Sequence, residues 1–90
     1  MVTAIILIKA ERASIERVSQ DLLKVKGLTE VYSVAGEYDM VAIARVRQND
    51  DLAKLVTEDM RAIDGIARTE TLIAFRQISN FDLAAMFELD

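Results

Sequence analysis

The 90-residue sequence contains no cysteine, histidine, tryptophan or proline. Without cysteine there is no disulfide frame and no thiol chemistry. Without histidine the commonest general base and the commonest metal ligand are both gone. Without proline, no helix or strand is interrupted by a residue that lacks a main-chain donor. Glycine is scarce: Gly27, Gly36 and Gly65 are the only three, and there is no glycine-rich phosphate loop. Apolar runs such as Ala4-Ile5-Ile6-Leu7-Ile8 are far too short to cross a bilayer. Met1-Val2-Thr3 leads straight into a strand-like run with no basic segment, so no signal peptide and no membrane contact are expected, and the chain reads as cytoplasmic. Eleven basic residues lie scattered among fifteen acidic ones, for a net charge of −4. Nucleic-acid binding rests on clustered Lys and Arg, so direct nucleic-acid contact is not expected.

What the sequence has in quantity is apolar residues, at 52%. A chain of this length makes one small domain, and it buries only about 60–65% of its unfolded surface. Apolar residues in excess of a thin core point to a partner surface, and first of all to a second copy.

Residues 2–9 form the first predicted strand. Val2, Ala4, Ile6 and Ile8 share one face, and Thr3, Ile5, Leu7 and Lys9 the other. Both faces are largely apolar, so both are expected to be covered. Ser14 is the expected cap of a helix whose stripe is Ile15, Val18, Leu22 and Val25, with Leu23 beside it. Gly27 is expected to end that helix. Residues 28–35 and 40–47 read as the second and third strands. Asn49 or Asp50 is the expected cap of a second helix with the stripe Leu52, Leu55, Val56, Met60 and Ile63, stopped by Gly65. Residues 66–78 read as a long fourth strand.

Val18, Leu22, Val25, Gly27 and Leu28 match Val56, Met60, Ile63, Gly65 and Ile66, each pair 38 residues apart. Two strand–helix–strand units in tandem predict an α+β, ferredoxin-like βαββαβ fold: an antiparallel four-stranded sheet with both helices on one face. Helices on one face leave the other for a second subunit. Residues 1–78 form this domain. Residues 79–90 are a separate C-terminal extension, expected to be a short helix capped by Asn80. Its apolar side chains pack either on their own subunit or on a neighbour; a disordered tail is the third reading.

Gly36-Glu37-Tyr38-Asp39 between the second and third strands reads as a turn. Gly36 allows a positive φ, and Asp39 can hydrogen-bond nearby amides. An α-amino acid needs an anion for its ammonium, donors for its carboxylate and a shaped pocket for its side chain. Asp39 can meet the first, main-chain amides around Gly36 and Glu37 the second, and Tyr38 can wall the third. From the residues alone a second reading stands beside it: Gly36 serves only the turn, Asp39 only caps it, and Tyr38 only packs. The adjacent acids Asp50-Asp51 and Glu58-Asp59 do not face one another on a helix and read as solvated charge. No catalytic residue, metal site or cofactor is expected.

The order of elements, Gly27 before Leu28, the Gly36-Glu37-Tyr38-Asp39 loop, and Gly65-Ile66 followed by Thr69-Glu70-Thr71 resemble the effector-binding (RAM) domain of the Lrp/AsnC feast–famine regulators. The resemblance covers roughly residues 2–78. The family's N-terminal helix-turn-helix has no counterpart, so the chain is expected to be a stand-alone RAM protein. The resemblance implies a dimeric α+β barrel, with two sheets face to face, and further assembly into an octamer or similar ring. It implies a small effector, an amino acid, bound near an interface between dimers. It places the effector on Gly36, Glu37, Tyr38 and Asp39, and on the strand residues Thr71, Leu72 and Ile73. It also implies an influence on transcription through mixed oligomers with full-length Lrp/AsnC regulators. Two other classes remain open: a purely structural oligomerisation module, and a cofactor-free enzyme of the dimeric-barrel type.

Overall fold

The computed structural model describes residues 1–78; the expected C-terminal helix lies outside the described residues. Four strands, β1 (Val2–Ala10), β2 (Leu28–Ser33), β3 (Met40–Val46) and β4 (Ile66–Ile73), alternate with two helices, α1 (Ile15–Leu22) and α2 (Asn49–Lys54). The sheet runs β2-β3-β1-β4 and every neighbouring pair is antiparallel. This is the expected βαββαβ arrangement, with β1 and β3 central and β2 and β4 at the edges.

Register sorts the side chains onto two faces, because residues directly opposite one another share a face. Ile6 stands between Ala42 and Thr71, and Ile8 between Met40 and Thr69. On this face Ala4, Ile6, Ile8, Met40, Ala42 and Ala44 are fully buried against Val18 and Leu22 of α1 and Leu52 and Leu55 of the α2 segment. Each large apolar side chain removed from water here contributes about 1.5–3 kcal/mol. On the opposite face Ile5 stands between Ile43 and Leu72, and Leu7 between Val41 and Glu70. These apolar side chains are only partly covered, and Leu72 is 46% exposed.

Several expected boundaries move. A 3₁₀ turn, Arg12–Ser14, precedes α1, and the Ser14 side chain does not cap it. The helix stops at Leu22, so Gly27 lies beyond its end and leads into β2. Gln48, rather than Asn49 or Asp50, holds the cap position of α2, and its N–H donates to the Asp51 carboxylate at 3.2 Å. After Lys54 the winding loosens into a π-helical turn, Leu55–Asp59. The second strand ends at Ser33 and the fourth at Ile73, both short of their apolar runs. Just beyond Ile73 the Ala74 N–H still donates to the Thr3 carbonyl at 2.9 Å. At Gly65 (φ +98°) a Cβ would sit 2.6 Å from the Cβ of Ser14. The Gly65 carbonyl also accepts from the Glu11 N–H at 2.8 Å. Glycine is therefore required there by close approach as well as by conformation.

Candidate functional site

The loop between β2 and β3 folds over the end of β1 and reaches β4. It is pinned at several points. The Val34 N–H donates to the Asp39 carbonyl at 3.1 Å, closing the loop on itself. The Asp39 N–H donates to the Ile8 carbonyl at 2.9 Å, and Asp39 Oδ2 accepts from the Ala10 N–H at 2.9 Å. Asp39 thus completes the end of β1, where the β1–β4 register shifts between Lys9 and Ala10. Lys9 Nζ lies 4.0 Å from the same carboxylate oxygen.

Glu37 and Tyr38 reach the start of β4. Arg68 donates to Glu37 Oε1 at 3.1 Å, and its guanidinium carbon sits 5.3 Å from the centre of the Tyr38 ring. The Tyr38 hydroxyl donates to Glu70 Oε2 at 2.8 Å. That bond to a carboxylate holds the phenol proton and raises the Tyr38 pKa above its ordinary value. Gly36 has φ +134°, and a Cβ built on it meets nothing within 4 Å. The glycine serves the backbone conformation, and the space beside it is open for a molecule to approach the main chain.

The loop cluster therefore offers both charge signs around an exposed main chain: Glu37 and Glu70 as anions, Arg68 and Lys9 as cations, with an aromatic wall. A matching group lies on the other flank of the same sheet face. There Glu30 accepts from the Tyr32 hydroxyl at 2.6 Å and from Arg45. The Tyr32 bond, and then Arg45, hold the Glu30 carboxyl below its usual range, and Glu30 in turn raises Tyr32.

Within one chain the residues singled out in the sequence fall into three places. Gly36, Glu37, Tyr38 and Asp39 form the loop cluster. Leu72 stands beside Ile5 on the open sheet face. Thr71 and Ile73, of opposite parity, line a cleft of about 390 Å³ on the helix side, with Leu52, Ala53, Val56 and Thr57. A second cleft of about 420 Å³ adjoins it, lined by Val56, Thr57, Met60, Arg61, Ile66 and Arg68 among others. Sequence reasoning missed Arg68 and Glu70 as partners of the loop, and Ala10 as the partner of Asp39. These contacts join residues 29 to 32 positions apart, so no local signal marks them. The clefts were missed as well, because they arise where α2 meets β4. Among the described residues no cluster of three or more His, Cys, Asp or Glu is placed to hold a metal ion. No helix among them is long and apolar enough to cross a membrane.

Comparison with known proteins follows the same lines. The family model of the Lrp/AsnC ligand binding domain matches residues 3–82. An HTH-type transcriptional regulator of Pyrococcus furiosus is 38% identical over 72 residues, which are 80% of this chain and 48% of the regulator. The chain thus spans about half the length of that regulator. A solved Thermus thermophilus protein superposes with a TM-score of 0.84 at 35% identity, over 89% of this chain and 100% of that one. The feast or famine regulatory protein of M. tuberculosis, solved in complex with L-methionine, shares the fold. Its TM-score is 0.76 at 22% identity, over 89% of this chain and 54% of that one. The chain belongs to the Lrp/AsnC ligand-binding domain family.

Proposed function

We propose that this domain senses a small effector, an amino acid, at an interface between copies of the chain, and that the loop cluster forms part of that site. The observation that carries this reading is the loop itself. It is pinned to β1 and β4 by long-range bonds, yet it leaves an open approach to the main chain at Gly36 between fixed charges of both signs. Arg68 suits a carboxylate, Glu37 and Glu70 suit an ammonium, and Tyr38 suits an apolar side chain. The methionine complex of a fold relative supports the same effector class. The half-covered apolar face of Ile5, Leu7, Val41, Ile43 and Leu72 is where a second sheet packs to form the dimer. In this reading the chain is not an enzyme. It acts on transcription through oligomers, including mixed ones with full-length family regulators.

Thermal unfolding against a panel of single amino acids, with oligomer size followed in parallel, tests the proposal. A ligand present at a hundred times its Kd that binds only the folded state stabilises it by about 2.7 kcal/mol. One or a few amino acids raising the midpoint is the expected result. A flat panel with the oligomer intact would overturn it.

One observation favours a second reading, a structural module without effector. The Asp39 carboxylate is already engaged by the Ala10 amide. In that case Asp39→Ala weakens the fold by about 1 kcal/mol through the lost hydrogen bond, with no affinity to lose. Under the sensing proposal Glu37→Gln and Arg68→Met lower effector affinity while leaving unfolding in the absence of effector nearly unchanged.

A further inference from the structure

The loop cluster does not balance its own charge. Glu37, Asp39 and Glu70 bring three carboxylates to the start of β4 and the end of β1 beside it, and Lys9 and Arg68 bring two cations. Lys9 and Asp39 answer one another, 4.0 Å apart. Arg68 answers Glu37 at 3.1 Å. Glu70 receives the hydroxyl of Tyr38, which carries no charge at neutral pH. Among the described residues Glu70 has no cationic partner. Arg61 does not supply one: it lines the cleft against the α2 segment, whereas Glu70 stands beside Leu7 on the open sheet face.

We infer, on the sensing role proposed above, that the effector is a basic amino acid of the lysine or arginine type, and that Glu70 receives its side-chain cation. A free α-amino acid is a zwitterion at neutral pH, so its ammonium and carboxylate together add no net charge. Arg68 spends one N–H on Glu37 and keeps the rest of its fork for the α-carboxylate. Glu37 takes the α-ammonium on its second oxygen. With 57% and 76% of their side chains exposed, both groups are within reach of a ligand. The charge that remains is that of Glu70, and only a cationic side chain cancels it. An apolar side chain laid over Glu70 shields a carboxylate from water without pairing it, which weakens binding. An acidic side chain adds a like charge.

The spacing along β4 fits that ligand. Arg68 and Glu70 are two positions apart on one strand, so their side chains rise from the open face about 6.6 Å from each other. The unbranched stems of lysine and arginine bridge such a gap with their methylenes against apolar surface and their cation at the far end. Leu7, directly opposite Glu70, and Leu72, the next side chain of β4 on that face, supply the surface. Tyr38 spans the same stretch, with its ring centre 5.3 Å from the Arg68 guanidinium carbon and its hydroxyl 2.8 Å from Glu70 Oε2. Oε1 of Glu70 is left for the incoming cation while the Tyr38 bond is kept. The ligand thus adds to the cluster without dismantling it.

Calorimetric titration of the whole chain with lysine, arginine, norleucine, methionine and glutamate is the test. Norleucine carries the stem of lysine without its ammonium. Lysine or arginine is expected to bind more tightly than norleucine by about tenfold or more, as a hydrogen-bonded charge pair allows. Glu70→Gln keeps an acceptor for the Tyr38 hydroxyl and is expected to bring that ratio close to one. If Glu70→Gln does not fold, the ratio in the unaltered chain carries the test. Norleucine or methionine binding as tightly as lysine and arginine would overturn the inference and leave the sensing proposal standing. A ratio that Glu70→Gln does not change would also overturn it. So would Nα-acetyl-lysine amide binding as tightly as lysine, because the site would then take a lysine side chain of a peptide rather than a free amino acid. A flat response to every single amino acid is the outcome that overturns both readings.

Discussion

Residues 18–28 and 56–66 carry matching apolar positions, yet the first run stays α-helical to Leu22 while the second passes into a π-helical turn. The matched positions reach the same places. Leu22 and Met60 are both buried in the core, and Gly27 and Gly65 both precede an edge strand with positive φ. The winding differs where Ser19 of the first run is replaced by Thr57 in the second. Ser19 Oγ donates to the Glu16 carbonyl at 2.8 Å inside a regular helix. Thr57 Oγ1 donates to the Ala53 carbonyl at 2.7 Å, and the Met60 N–H reaches back to Leu55. A β-branched residue crowds the preceding turn, and its hydroxyl competes for main-chain acceptors. Wider turns of this kind recur at functional sites. Here the turn lies beside both clefts. Apolar spacing decides which side chains enter the core; it does not decide how tightly the backbone between them is wound.

The largest expected effect comes from truncating the matched core residues. Leu22→Ala is expected to cost about 3 kcal/mol and Met60→Ala about 2, because Met60 borders a cleft and loses fewer neighbours. Denaturant unfolding at fixed protein concentration measures both, and equal losses would break the comparison. The glycines come next. Gly65→Ala is expected to cost about 2 kcal/mol, since its Cβ would press on Ser14 at 2.6 Å. Gly27→Ala is expected to cost about 1, since it meets Leu55 Cδ1 at 2.9 Å, the movable end of a side chain. A reversed order in thermal unfolding would show that the halves are not equivalent there.

The smallest effects belong to the two exposed tyrosine–glutamate bonds. Glu30 is held below its ordinary carboxyl value of 4.5, so its contribution is complete above that value and is lost as pH falls through its folded value. Both tyrosines are held above their ordinary 10, so theirs is complete below that value and is lost as pH rises past it. Tyr32→Phe is expected to flatten the acid and alkaline arms of the stability profile. Tyr38→Phe is expected to flatten the alkaline arm and also to raise amide exchange at Gly36 and Glu37, since it releases the loop from β4. If both variants leave loop exchange unchanged, the Tyr38 bond does not hold the loop.

The fold was legible because it rests on periodicity. A short, largely apolar run at residues 2–9, two helical stripes after it, the stop glycines Gly27 and Gly65 and a repeat at 38 residues suffice for βαββαβ. The loop of the candidate site was legible because Gly36 and Asp39 announce a turn. Its surroundings were not, because Arg68 and Glu70 come near Tyr38 only when β4 docks against β1. Thr71, Leu72 and Ile73 show the limit from the other direction. They are consecutive in the chain, but a strand sends neighbours to opposite faces, so Leu72 parts from the other two.

By itself, then, the sequence determined what local chemistry controls: the order of strands and helices, the apolar stripes that enter the core, where the chain turns, and that the helices leave one largely apolar sheet face open. The tertiary structure decided what depends on long-range register. It placed Asp39 under the Ala10 amide, set Arg68 over Tyr38 and opened two clefts beside β4. Register is a property of two strands together, and no single stretch of sequence carries it.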